Sequence, residues 1–398
     1  MQPLKGITVV ALEQAIAAPF ATRQLADLGA RVIKVERPGS GDFARGYDER
    51  ARGLASHFVW TNRSKESLTL DVKNKDAAAL LQRLILEKAD VVVQNLAPGA
   101  AARLGLSFST LSALKPDIIV CDISGYGDDL QRPGPYRDKK AYDLLVQSEA
   151  GFVSITGTPD EPCKAGLSIA DIAAGMYAYT QILAALLQRG RDGKGRRIDI
   201  SMLEALGEWM SYPLYYTLDG AKPPPRAGAS HATIYPYGPF PSGDGKSVML
   251  GLQNEREWVA FCHQVLLQPE LADDPRFSSN SKRNAHRGAL RTLIVAAFSS
   301  LTAQQVLERL DRAQIANAQV NSMHEVWAHP QLAARGRWCT VGSPSGPLPA
   351  MLPPGSWDDG EGPRMEPVPA LGQHTEAILT ELGLSAGAIA VLQAAQAI

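Results

Sequence analysis

The chain reads as an α/β protein. Three observations carry that reading. Strand-like and helix-like runs alternate from the first residues onward, the strand runs are short and apolar, and the composition shifts past residue 219 to open a second unit. Residues 7–12 form the first strand-like run, and residues 20–28 a helix-like run that ends at Gly29. A second strand follows over 31–35, a clearer helix over 77–86, and further short buried strands over 90–93 and 117–123. This alternation predicts a parallel, Rossmann-like sheet covered by helices. Residues 168–187 make the longest apolar stretch, which predicts a helix buried on most sides. A glycine-bearing turn at 190–195, a strand over 197–200 and a helix starting at Ser201 complete this part.

From 219 to 241 prolines accumulate, as KPPPR over 222–226 and YPYGPFP over 235–241. Proline restricts both segments, so loops and a domain boundary are expected here. A smaller α+β unit follows, with a strand over 247–252 and helices over 255–266, 287–299 and 303–313. Another proline- and glycine-rich stretch spans 342–369, and two short helices are expected over 374–382 and 386–396.

A length of 398 residues suffices for two or three units with their own cores. Apolar residues make up 45% and charged residues 20%, an ordinary globular balance. The net charge of −1 hides no basic half, which disfavours nucleic acid as a partner. The four cysteines, Cys121, Cys163, Cys262 and Cys339, form no CxxC pair, so neither a zinc site nor a disulfide framework is expected. Scattered thiols fit a reducing compartment, and Cys121 reads as a small core residue. The N-terminus enters a strand without the features of a signal peptide. The apolar run 172–187 is short for a membrane span and is flanked by Asp171 and Arg189. A cytoplasmic protein with no membrane partner is the expectation.

No GxGxxG follows the first strand, which weakens the alternative of a nucleotide-dependent oxidoreductase. P-loop, HExxH and GxSxG patterns are missing too, and His324 and His329 are spaced five apart, off a common helix face. No metal is expected. Asp171 opens the long apolar helix. Partial desolvation beside the positive end of the helix dipole would keep it ionised and weakly solvated, as a carboxylate nucleophile requires. Ser168 and Asp171 equally fit a Ser-x-x-Asp capping box, in which both side chains take N–H groups of the first turn. Arg37, in a glycine-bearing segment, together with Lys73, Arg103 and the Lys139-Lys140 pair, are candidates for anion contact or plain surface charges.

Six runs in order strongly resemble CoA-transferase family III, the group with formyl-CoA, carnitine-type and glutarate CoA-transferases and the 2-methylacyl-CoA racemases. They are QLADLGARVIKVERPGSGD (24–42), NRSKESLTLD (62–71), QNLAPG (94–99), SGYG (124–127), GKG (193–195) before Asp199, and LGQHT (371–375). The resemblance covers nearly the whole chain. It implies Asp171 as the nucleophile, which is compatible with an added capping role. It implies coenzyme A contacts at Arg37, Leu70, Lys73, Asn95, Leu96, Arg103, Leu104 and Lys140. The family's active-site glutamine falls at Ile16, so acceptor binding must differ. The racemase alternative needs a histidine where Tyr142 stands, and a tyrosine with a pKa of about 10 is a poor base at neutral pH. Tyr142 and His231 are expected to line the acyl pocket or to pack in the core. Arg45, Arg52 and His231 are candidates for a distal carboxylate, and residues 251–254 for a lid or oxyanion donor. The resemblance further implies a large domain from 1–215 and 325–398, a small domain over 220–320, and an interlocked homodimer. The run ASHATIYPY (229–237) looks most like members that use succinyl-CoA and a dicarboxylic acid.

Overall fold

The computed structural model describes residues 2–355 and 361–398; residues 356–360 of the proline-rich stretch lie outside the described residues. The chain divides into two compact units. The first takes Met1–Gly151, Ala165–Ser211 and Leu332–Ile398, and the second Phe152–Lys164 and Tyr212–Gln331. The excursion Phe152–Lys164 carries one four-residue helix and an isolated bridge between Gly157 and Pro162. Such short pieces leave no periodic pattern in the sequence.

The first unit is built on β1 (Thr8–Leu12), β2 (Arg31–Glu36), β3 (Lys65–Thr69), β4 (Val91–Gln94), β5 (Ile119–Ser124) and β6 (Arg197–Ser201). They pair in the order β3-β2-β1-β4-β5-β6, all parallel. Helices cover the sheet: α1 (Ala17–Asp27), α2 (Ser56–Asn62), α3 (Lys75–Lys88), α4 (Ala100–Arg103), α5 (Phe108–Leu114) and α6 (Asp143–Glu149). After α7 (Phe152–Ile155) of the second unit come α8 (Ile169–Asp192) and α9 (Met202–Trp209). The central strands are apolar on both faces because both faces are covered, so Val9, Val10, Ala11, Val91, Val92 and Val93 are all fully buried. β3 escapes the apolar rule. Its sequence KESLT sends Lys65 into a buried ion cluster, and Glu66 pairs with Arg31 at 2.9 Å. The strand order reverses between β1 and β4, which opens a crevice beyond their C-terminal ends.

The second unit carries α10 from Tyr212 onward (Ser211–Tyr216) and an antiparallel sheet of β7 (Tyr237–Pro241), β8 (Ser247–Gly251) and β9 (Ala316–Gln319), ordered β7-β8-β9. The run holding β7 was expected to be loop. It is an edge strand, the one place in a sheet where Pro239 and Pro241 need not donate to a ladder. Around this sheet pack α11 (Glu255–Ala260), which continues into a π-helical stretch Phe261–Leu266, and then α12 (Asn280–Ala285), α13 (Arg287–Phe298) and α14 (Ala303–Arg312). Trp258, Phe261, Phe277, Leu290 and Phe298 form the heart of their core. Two short helices, α15 (Met323–Trp327) and α16 (Pro330–Ala334), lead back to the first unit. There β10 (Trp338–Val341) pairs with β11 (Leu348–Met351), and α17 (Thr375–Glu381) and α18 (Ala386–Ala394) end the chain. Leu379 and Leu392 of these last helices join Val10, Ile33 and Leu68 of the sheet and Leu81 of α3 in one core.

Helix α8 is 24 residues long, longer than the apolar run predicts, and is apolar enough to cross a membrane. Length therefore does not separate it from a span. It packs on α1, α6, α9, β5 and β6, but only seven of its 24 residues are buried, so the expectation of a helix buried on most sides is not met.

Candidate active site

Asp171 lies in the first turn of α8 and is partly buried. Its expected capping partner does not act, since Ser168 stands at the N-cap with no side-chain bond. The first N–H groups of the helix go elsewhere. Oδ1 of Asp143 accepts from Ala170 N at 2.8 Å and from Asp171 N at 3.3 Å. Oδ2 of Asp143 accepts from Gln147 Nε2 at 2.6 Å, and Gln147 Oε1 accepts from Ala165 N at 2.9 Å. The helix end is thus satisfied from outside. No hydrogen bond to the Asp171 carboxylate occurs among the described residues.

Burial, and then the neighbouring charge of Asp143, push the Asp171 carboxyl up to about 7. Burial thus acts against the ionised form that the helix dipole was expected to favour. Asp143 takes the N–H groups of Ala170 and Asp171 that a carboxylate at the helix end would otherwise meet. Near neutral pH the group is divided between acid and carboxylate, a state common among reactive side chains.

Helix α1 runs beside α8. Ala17 and Phe20 lie against Gly175, Gln24 Nε2 is 3.5 Å from Met176 Sδ, and Arg23 and Asp27 sit near Tyr179. The two helices therefore point the same way, and Ile16 and Asp171 lie at their common N-terminal end. A Cβ at Gly175 would stand 2.7 Å from Ala17 O, so this close approach requires glycine.

The loop between β1 and α1 is tied at each step. Lys34 Nζ donates to Glu13 O at 3.3 Å, and Asn95 both accepts from Gln14 N and donates to Gln14 O at 2.9 Å. Ala15 N donates to Asp42 Oδ1 at 3.0 Å, and Ala15 adopts φ +60°. Beneath the loop the fully buried Glu13 meets Lys65 at 2.6 Å and Lys34 at 3.4 Å, while Lys34 meets Asp42 at 2.8 Å. Burial alone would neutralise Glu13, but the two ammonium groups outweigh it and hold the carboxyl below its usual range. Burial pulls Lys65 down to about 7 despite Glu13.

The expected coenzyme A contacts fall mostly at the C-terminal ends of strands. Arg37 follows β2, Leu70 and Lys73 follow β3, and Asn95 and Leu96 follow β4. Arg37, Leu70, Lys73 and Leu96 line one hollow of about 120 Å³, and Arg37 and Lys73 also line a neighbouring one of about 530 Å³. Cationic tips beside leucine walls fit a nucleotide with its phosphates. The Asn95 amide differs from expectation, because both its ends are occupied by Gln14. Arg103 ends α4 exposed, Leu104 packs on the core, and Lys140 is exposed ahead of α6. Tyr142 stands at the N-cap of α6 with 66% of its surface exposed, so it is not core, whereas Ile16 is buried at 3%.

Arg45 is not available to a substrate. Its guanidinium grips Glu36 twice at 2.8 Å, lies 3.8 Å over the Phe58 ring and donates to Pro369 O. Burial would raise Glu36, yet Arg45 and Lys34 hold it at about 2. Arg52 Nη1 donates to Pro347 O at 2.7 Å. In the second unit His231 stacks on Tyr237, and its Nδ1 accepts from Thr233 N at 3.1 Å and Ile234 N at 3.0 Å. Those bonds fix the tautomer with hydrogen on Nε2. Gly251 ends β8, and Asn254 caps α11 by accepting from Glu257 N at 3.0 Å.

Two residues of the site escaped sequence reasoning. Asp143, the residue after Tyr142, carries no local signal of its role. Tyr47 lies close enough to Asp171 and Tyr142, with Asp42, for their charges to add to burial in raising its hydroxyl to about 12.

A profile of CoA-transferase family III matches residues 4–375. The succinate–glutarate CoA-transferase of Agrobacterium fabrum is 35% identical over 389 residues, 96% of each chain. The succinyl-CoA–D-citramalate CoA-transferase of Chloroflexus aurantiacus is 33% identical over 408 residues, covering 100% of this chain and 98% of its own. The crystal structure of a CAIB/BAIF family protein from Brucella suis superposes with a TM-score of 0.83 at 33% identity, over 96% of this chain and 99% of that one.

Proposed function

Because the chain belongs to CoA-transferase family III, we propose that Asp171 carries coenzyme A from succinyl-CoA to a second dicarboxylic acid. The observation that carries this reading is the Asp171 carboxylate itself, at the N-terminal end of α8 and unbound by any donor among the described residues. Donor and acceptor classes are taken from the named relatives, which act on glutarate and D-citramalate. The racemase alternative is not favoured, since those relatives are transferases and Tyr142 stands in place of a histidine base.

The chemistry follows from the side chain. An Asp171 oxygen bonds to the thioester carbonyl carbon, the C–S bond breaks, and the thiolate leaves a mixed anhydride. The thiolate then attacks the aspartyl carbonyl, releasing succinate and leaving an aspartyl thioester. The acceptor carboxylate repeats the exchange in reverse, which conserves the thioester provided water is excluded. Arg37 and Lys73 are the residues we assign to the nucleotide phosphates, with Leu70 and Leu96 against its base. Arg103, Leu104 and Lys140 complete the proposed contact set, Asn95 being left to hold Gln14, and the active species is a homodimer.

An acceptor screen tests the reading. With succinyl-CoA as donor, glutarate, itaconate or citramalate should be used and carnitine should not, and Asp171→Ala should lose turnover by about 10³-fold or more. Exclusive use of a monocarboxylate, or full turnover in the alanine variant, contradicts it.

A further inference from the structure

We propose that Asp143 is a positioning residue for the transfer reaction, capping the nucleophile's helix from outside so that the Asp171 carboxylate stays bare of backbone donors. This rests on reading Asp171 as the nucleophile. In a capping box, the N–H groups of the second and third helical residues turn to side chains of the helix's own first turn. Here they turn to α6 instead, 2.8 Å from Ala170 N and 3.3 Å from Asp171 N, while Ser168 takes none.

Asp143 is itself held in place. Its second oxygen receives the Gln147 amide at 2.6 Å, and Gln147, fully buried, receives Ala165 N at 2.9 Å. Three points of the first unit therefore converge on one carboxylate: α6, the start of α8, and the chain at Ala165. A neutral hydroxyl at Ser168 would suffice to satisfy the helix end. A carboxylate does more, because it also repels the charge of Asp171. Hydrogen bonds to a carboxylate lower its basicity and its strength as a nucleophile, and a like charge raises both. Both effects act here in the same direction.

The other groups packed around α8 do not supply this effect. Tyr47, near Asp42 and Tyr142, is a further titratable group within reach of the Asp171 charge. On α1, Arg23 and Asp27 bond each other beside Tyr179, two turns farther along. On α9, Glu208 accepts from Tyr177, and Arg197 of β6 pairs with Asp122 of β5 and Asp199.

Two substitutions separate the cap from the charge. Asp143→Ala removes both. Asp143→Asn keeps an oxygen for the α8 N–H groups but loses the charge and faces the Gln147 amide donor to donor. With succinyl-CoA and glutarate, Asp143→Ala should lower kcat about tenfold or more while KM for succinyl-CoA moves less than about threefold. Asp143→Asn should lower the midpoint of the rising limb of kcat against pH by about half a unit or more. Wild-type kcat and midpoint in both variants overturn the proposal, as does a loss confined to KM. If Asp143→Ala does not fold, the asparagine variant decides alone through its midpoint. Asp171→Ala run in parallel keeps the two readings apart. Its full activity would remove the nucleophile, whereas its inactivity beside wild-type-like Asp143 variants would remove only the positioning role.

Discussion

At the scale of single residues, the raised pKa of Asp171 has a measurable thermodynamic consequence. In the unfolded chain an aspartate ionises near 3.8, whereas in the fold this one retains its proton up to about 7. Between those values the native state binds more protons than the unfolded state, so stability falls as pH rises and levels off above about 7. Asp171→Asn removes that penalty. At pH 8 the variant should unfold on the order of 2 kcal/mol later than wild type, allowing for the carboxylate's partial solvent contact, and the advantage should vanish near pH 4. Urea titrations at the two pH values check this; equal differences at both would show that the carboxylate is not strained. The position stood out in the sequence because an acid opening an apolar helix is conspicuous, while its role as nucleophile is what the family resemblance implies. Asp143 was not, since it acts on a backbone 27 residues away while a complete local capping pattern, Ser168 with Asp171, goes unused. Arg45 misled for the opposite reason, as a lone arginine in sequence does not show that Glu36 and Phe58 already hold it.

At the scale of elements, the pairing of α1 with α8 sets the stage on which Asp171 stands. Gly175 lies one turn below Asp171, where any side chain would press on the Ala17 carbonyl at 2.7 Å. Alanine is the better helix former by about 1 kcal/mol, yet backbone cannot yield as a flexible side chain does. Gly175→Ala should therefore destabilise the protein by about 1–3 kcal/mol and lower kcat along with it. Thermal melting with parallel kinetics measures both, and an alanine variant as stable and active as wild type would mean the helices part freely. Strands β1, β2, β4 and β5 were readable because sheets covered on both faces need apolar residues throughout. β3 and β7 were not. One hides its charges in ion pairs, and the other places prolines on an open edge.

For the whole molecule, the parallel class followed from alternation, while the strand order and the excursion Phe152–Lys164 are facts of tertiary packing without a local signature. The surface also bears on assembly. Leu187 in the first unit and Leu214, Tyr215 and Leu218 in the second each leave more than 60% of their surface exposed. In the second unit Leu214, Tyr215 and Leu218 fall within five residues of sequence, and an exposed apolar run of that kind is a candidate for burial against another chain. Sedimentation equilibrium should give twice the chain mass, and Tyr215→Glu should shift that balance toward single chains. A wild-type protein sedimenting as one chain would remove the homodimer.

The tethered loop between β1 and α1 carries a last implication, for how such a catalyst could diversify. Glu13, Gln14 and Ala15 are each moored by partners from other parts of the fold, so the main chain beneath Ile16 works as a fixed socket. Ile16 itself is buried at 3%, so the moored loop hands a packed side chain, not an open one, to the start of α1. Change in such a catalyst therefore falls more readily on side chains outside this anchored stretch, where no such set of ties has to be rebuilt.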